Sequence, residues 1–181
     1  MPFTVTTPPS VEPITTAEAK SHLNVTGSAD DAYIDTLIQA AREYAEGFTR
    51  RAFITQAITA KFDAFPAWFE LECGPLQSIT SIQYIDTAGN TQTLVASNYT
   101  VDTTSTPGRI TEAYAVSWPS TRDIVNAVTV TYVAGYGAAS AAVPQPIIQA
   151  MLFHIGYFFD NREGGDVPQI VKTLLMPYKV Y

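Results

Sequence analysis

The chain has 181 residues, 46% of them hydrophobic, which suffices for one sizeable core or a core with a satellite module and is too little for two large domains. Seventeen acidic against ten basic residues give a formal net charge of -7, and the largest basic cluster is the pair Arg50 and Arg51, which argues against tight, charge-driven nucleic-acid binding. Cys73 is the single cysteine, so an intramolecular disulfide and a cysteine-based metal cluster are excluded and a reducing compartment is expected.

Residues 1–13 are rich in proline and threonine and lack both a basic n-region and an apolar h-region, so they are expected to be an extended tail and not a signal peptide. Thr15 followed by Glu18 has capping-box spacing and opens a short helix that ends near Asn24. Ser28 and Asp31 repeat that spacing and start a long helix from Asp30 to Arg51. Its apolar residues Ile34, Leu37, Ile38, Ala41, Tyr44, Ala45 and Phe48 recur at steps of three and four. Asp30 and Asp31 fall in its first turn and Arg50 and Arg51 in its last, complementing the helix dipole, and Gly47 is its weak position.

Beyond Arg51 the pattern alternates. Ile79–Ile85 and Thr91–Val95 predict a hairpin around Gly89 and Asn90, and Asn98–Val101 with Arg109–Thr111 predict a second around Pro107 and Gly108. Ala127–Val133 alternates Val128, Val130 and Tyr132 with Thr129 and Thr131, as a strand with one buried face does. Gly135 and Gly137 form a joint, after which Ile147, Ile148, Met151, Leu152, Ile155, Phe158 and Phe159 return to helical spacing. This apolar stretch falls short of the ~20 residues a bilayer span needs. Pro168 opens a last short helix over Gln169–Leu175, and a non-helical aromatic tail closes the chain.

The expected architecture is α+β: a bundle of about four helices, two N-terminal and two C-terminal, with an inserted antiparallel β-module. The expected boundaries are a tail over 1–13, a helical core over 14–52 and 138–175, the β-module over 53–137 and a docking tail over 176–181.

No catalytic constellation emerges. His22 and His154 are the only bases of neutral intrinsic pKa, and His154 lies inside the apolar helix beside Phe153 and Ile155. Asp160, Glu163 and Asp166 could hold a hard cation, but their spacing does not match the EF-hand loop and a solvated helix end explains them. Gly135–Ser140 lacks the Gly-Lys-Ser/Thr of a phosphate loop. Trp68 and Trp118 could line a sugar site, though aromatics at alternating strand positions more commonly build cores and interfaces. No enzyme activity, cofactor or metal is expected.

The order of the segments carries a resemblance. ITTAEAKSHLNV at Ile14–Val25, the loop, the helix DDAYIDTLIQAAREYAEGFTRR and FITQAI at Phe53–Ile58 resemble the N-terminal half of the tailed-phage head-tail connector (adaptor) family. PLQSITSIQYIDTAGN, VTVTYVAGYG, VPQPIIQAMLFHIGYFFDNRE and LLMPYKVY continue it to residue 181. The chain departs from the family pattern at Asn24, where a basic residue often follows His-Leu, and at Thr49-Arg50-Arg51, where Thr-Gly-Arg is frequent.

The resemblance implies a structural protein of the virion neck, present in the host cytoplasm during assembly. It implies a ring of identical subunits, commonly twelve, beneath the portal protein ring. A head-completion (stopper) or tail protein would sit on the other side, and DNA would pass through the lumen without specific binding and without a membrane. Carried over by position, portal docking falls to Gln169, Ile170, Val171, Lys172, Leu174, Leu175, Met176, Pro177, Tyr178, Lys179, Val180 and Tyr181. Subunits of such a ring need two different sticky faces, and Tyr33, Tyr44, Arg50 and Arg51 on the long helix are the subunit-interface candidates. Another neck or tail component, such as a stopper or tail-tube terminator, is the alternative, followed by a carbohydrate-binding β-module.

Overall fold

Thr15 begins the helical part of the fold by the local chemistry its spacing indicates. Its hydroxyl accepts from the Glu18 N–H at 3.2 Å and the Glu18 carboxylate accepts from the Thr15 N–H at 2.8 Å, satisfying two backbone donors of the first turn of helix α1, Thr16–Leu23. The Thr15 N–H, and the Thr15 hydroxyl donating to the same carboxylate at 2.8 Å, hold the Glu18 carboxyl below its ordinary pKa. Asn24 terminates α1 in the left-handed conformation, φ 57°, which asparagine tolerates better than most residues. The computed structural model describes residues 3–181, and its elements make an α+β fold of four α-helices and two antiparallel sheets among those residues.

Helix α2 spans Asp31–Thr49 and buries Ile34, Ile38, Ala41 and Ala45 along the stripe the periodicity marks. Two details differ from expectation. Asp30, not Ser28, is the N-cap and makes no side-chain cap bond; the Asp31 carboxylate, required for the second capping box, is instead held by Lys20 Nζ at 2.6 Å. The helix also closes at Thr49, so Arg50 and Arg51 lie outside its last turn. Helix α3, Gln145–Asp160, starts with Pro146 in its first turn, where no hydrogen bond is lost, and buries Ile147, Ala150, Met151 and Ile155. Helix α4, Gln169–Leu175, adds Val171 and Leu175 to the same core, which also contains Ile14, Ala19, Phe53 and Ile54.

The five-stranded sheet has the order β1-β2-β8-β4-β5, with β1 Phe3–Thr7, β2 Gln56–Phe62, β4 Leu76–Ile85, β5 Thr91–Thr93 and β8 Val128–Ala134. Its centre is β8, whose Val128, Val130, Tyr132 and Ala134 are buried in strict alternation, as the sequence indicates. Hairpin β4–β5 pairs Gln83 with Thr93 and Ile85 with Thr91. The second sheet is β3-β7-β6, with β3 Trp68–Leu71, β6 Tyr99–Asp102 and β7 Gly108–Glu112. The two sheets meet through Phe62 against Phe69, with ring centroids 4.7 Å apart, and through Leu76, which fills the space where Gly108 lacks a side chain. The Tyr132 hydroxyl donates to the Glu72 carbonyl at 2.7 Å, satisfying the polar end of the largest buried ring. Strand β1 comes from the stretch expected to be a tail: residues 3–7 pair with Ala57–Ala60 of β2.

The chain divides into two compact units. One contains the described residues up to Pro8 together with Thr55–Gly135; the other contains Pro9–Ile54 and Tyr136–Tyr181.

Candidate interaction surface

In the helical unit the end of the chain returns to the end of α2. Thr49 is fully buried and its hydroxyl donates back to the Ala45 carbonyl at 2.7 Å. Its own carbonyl accepts from the Val180 N–H at 3.0 Å, and the next turn is fixed by Arg51, whose Nε–H donates to the Tyr178 carbonyl at 2.6 Å. Between them Arg50 caps the helix in the left-handed region, φ 53° and ψ 42°, with its side chain exposed. Lys179 places its ammonium 5.2 Å from the centres of both the Phe48 and Tyr181 rings, within cation–π range. Gly47, Phe48, Arg50, Lys179, Val180 and Tyr181 enclose a cleft of about 430 Å3.

The docking candidates therefore divide. Val171 and Leu175 are buried in the helical core, whereas Ile170, Met176 and Tyr181 are exposed by 48%, 47% and 87%. Gln169 and Pro177 are exposed, and Lys172, Leu174, Tyr178, Lys179 and Val180 are half-buried. The subunit-interface candidates are dispersed as well. Arg50 and Arg51 sit at the C-terminal end of α2. Tyr33 sits at the other end, its hydroxyl on the Phe158 carbonyl at 3.1 Å and its ring under the Arg162 guanidinium. Tyr44 packs inside the unit, its ring 5.0 Å from His154 and 6.2 Å from Phe48.

Polar groups elsewhere serve the fold. Arg42, almost fully buried, is gripped by Glu12 at 2.7 Å and by Glu46 at 2.9 Å, and Glu46 also accepts from the Phe53 N–H at 2.8 Å. This cluster fastens residues 9–14 and the α2 exit to one guanidinium. His154 is buried against Tyr44 and Phe158, and burial lowers its pKa. Its Nδ1 has no hydrogen-bond partner among the described residues. Asp160, Glu163 and Asp166 are exposed, and no group of three metal-ligating side chains converges among the described residues. Cys73 is half-buried. Trp118 stacks on Phe65 at 5.0 Å and meets Phe69, while Trp68 is exposed on the opposite face of β3 from Phe69, so the two tryptophans do not form one platform. No helix among the described residues is long and apolar enough to cross a membrane.

Helices α1 and α2, the exit at Arg50, strands β2 and β3 and most of β4 lie in one stretch that matches a known family model. Residues 13–82 match the family model of the phage gp6-like head-tail connector proteins. The match bears out the connector resemblance over α1, α2 and the chain through most of β4; the later segments that carry the resemblance lie outside it. The whole fold is similar to three solved structures of gene transfer agent (GTA) particles. A chain in the neck of the empty GTA particle, computed with C6 symmetry, superposes with a TM-score of 0.85 at 24% identity, covering 100% of this chain and 96% of that one. A chain of the native GTA virion gives 0.82 at 23%, and a chain in the neck of the native particle, computed with C12 symmetry, gives 0.80 at 23%, both with the same coverage. No curated protein sequence matches the chain.

Sequence reasoning marked Arg50 and Arg51 and the C-terminal tail as separate candidates. It missed that Arg50 and the tail line one cleft, because the Val180–Thr49 hydrogen bond joins positions far apart in the chain. Arg50 itself holds the left-handed conformation that favours glycine, and nothing in its residue type marks it.

Proposed function

We propose that this protein is a non-enzymatic head-tail connector of a tailed phage or phage-like particle, forming a ring, commonly of twelve copies, between the portal and the next neck or tail component. The observation that carries the reading is the joint one: the connector family match over residues 13–82, together with a fold like that of GTA neck chains over the whole length. The ring would line the DNA channel and help retain packaged DNA. A chain of net charge -7 suits that role, since its field repels the phosphate backbone and lets DNA slide. The protein would wait in the host cytoplasm and reach the virion neck during assembly.

Within this reading the portal is met by the exposed part of the C-terminal segment, Ile170, Met176, Pro177 and Tyr181. Apolar and aromatic side chains of that kind anchor interfaces, while Val171 and Leu175 hold the segment to the core. Complete deletion of residues 168–181 is therefore a poor test, because it removes core side chains. The double substitution Ile170→Asp and Met176→Asp leaves the core and the Tyr181 wall of the cleft intact. It should abolish co-sedimentation with portal rings from the same particle while leaving the melting temperature within about 2 °C of wild type. Undiminished portal binding by that folded variant would refute the docking assignment.

A further inference from the structure

The helical unit carries opposite charge at the two ends of α2. At the C-terminal end Arg50 and Lys179 line the cleft beside Phe48 and Tyr181, and Arg51, the next residue along, holds the Tyr178 carbonyl; they are three of the chain's ten basic residues. None of the three is in a salt bridge among the described residues. Arg51 is committed to the Tyr178 carbonyl, but Arg50 is exposed and Lys179 is held between two rings with no salt-bridge partner among the described residues. A fixed ammonium and a guanidinium flanking an aromatic-walled cleft make a seat for a carboxylate.

At the other end, about 28 Å away along the 19-residue helix, the loop Asp160–Asp166 leaves α3. Asp160, Glu163 and Asp166 are exposed and form no salt bridge among the described residues. The one cation in the loop, Arg162, folds back onto Asp30 at 3.0 Å and over the Tyr33 ring at 4.7 Å. The loop therefore presents carboxylates outward.

We infer that the acidic loop Asp160–Asp166 of one copy seats in the basic, aromatic cleft of a second copy of this chain, giving the head-to-tail contact of the ring. The inference rests on the ring reading above. A second copy is the occupant because the charge complementarity is intrinsic to the chain. Two copies of net charge -7 repel in most orientations, and joining these two ends brings unlike charges together. The contact uses two different surfaces of the same molecule, so it repeats from copy to copy and closes when the rotation divides a full turn. It leaves Ile170, Met176 and Pro177 outside the cleft and free for the portal; Tyr181 walls the cleft and is the one portal-facing residue that the two contacts share.

The test uses disulfide trapping in the full-length chain. A Cys73→Ser chain carrying both Lys179→Cys and Glu163→Cys, oxidised mildly, should give a ladder of dimers, trimers and higher species, whereas chains with only one of the two new cysteines should stop at dimers. Adding Asp160→Lys and Asp166→Lys should lower the ladder yield by ~5-fold or more, as should raising the salt to about 0.5 M, where exposed charges are screened within a few ångströms. Adding Arg50→Glu to the loop-reversed chain should restore the ladder, which a general loss of stability cannot do. No ladder beyond that of the single-cysteine chains, or a ladder indifferent to both charge reversal and salt, overturns the inference. If wild-type rings nevertheless form on portals, the connector reading survives and only this contact is wrong; if wild type ignores portals while the ladder forms, the connector reading fails and the contact stands.

Discussion

Replacing Arg50 with glycine is expected to stabilise the protein even though it removes a charged side chain. Arg50 holds φ 53° and ψ 42°, a conformation that costs an L-residue roughly 1–2 kcal/mol because Cβ crowds the backbone. Glycine avoids that cost but loses about 0.5–1 kcal/mol more through the freedom it has in the unfolded chain. The Arg50 side chain is exposed and forms no salt bridge among the described residues, so little else is lost. The balance favours glycine by about 0.5–1 kcal/mol, which for a chain of this size is a rise in melting temperature of ~1–4 °C. Arg50→Ala is the control: it loses the same guanidinium but keeps Cβ, so its melting temperature should stay within about 1 °C of wild type or fall. Both are read by thermal unfolding followed by circular dichroism. If glycine lowers the melting temperature as much as alanine does, the strain at this helix exit is not what limits stability there, and the reasoning is wrong. The same Arg50→Gly chain should trap poorly in the disulfide assay, separating fold stability from assembly at one residue.

Three further outcomes are expected. Gly108→Ala would put a Cβ 2.5 Å from the Leu76 Cβ where the two sheets meet, so it should destabilise by ~1–3 kcal/mol, read by denaturant unfolding. Arg42→Met leaves Glu12 and Glu46 without their cation; because Glu12 is partly solvated the loss should be about 2–3 kcal/mol, below that of a fully buried pair, and proteolysis ahead of Ile14 should accelerate. His154 has its pKa lowered by burial, so the fold favours neutral imidazole: that stability is fully present above the unfolded value near 6.5 and is lost as pH falls through the lower folded value. His154→Leu should remove this part of the acid destabilisation below about pH 6.5 in pH-dependent melts, and an unchanged slope there would refute it.

Periodicity made the main elements legible. The stripe of α2 and the alternation of β8 are written in spacing alone, because both elements bury one face against a core and leave the other to solvent. Strand β1 was not legible: all five of its residues are exposed, so no burial pattern marks it, and its partner β2 lies some fifty residues away. The second capping box failed for a similar reason. Ser28 and Asp31 have the spacing, but the ion pair to Lys20 from another helix claims the carboxylate, and local sequence does not register a tertiary competitor. At the candidate interaction surface, residue type singled out the tail and the Arg50–Arg51 step. Burial separated Val171 and Leu175, which hold the segment down, from Ile170, Met176 and Tyr181, which are free to touch something else.

The measurement that tests the connector account most directly is electron microscopy of the protein mixed with portal rings from the same particle, with each component alone as control. The account expects a stacked ring of additional density on one face of the portal, absent from both controls and lost with the Ile170→Asp, Met176→Asp variant. Portal rings left bare at saturating protein would contradict it.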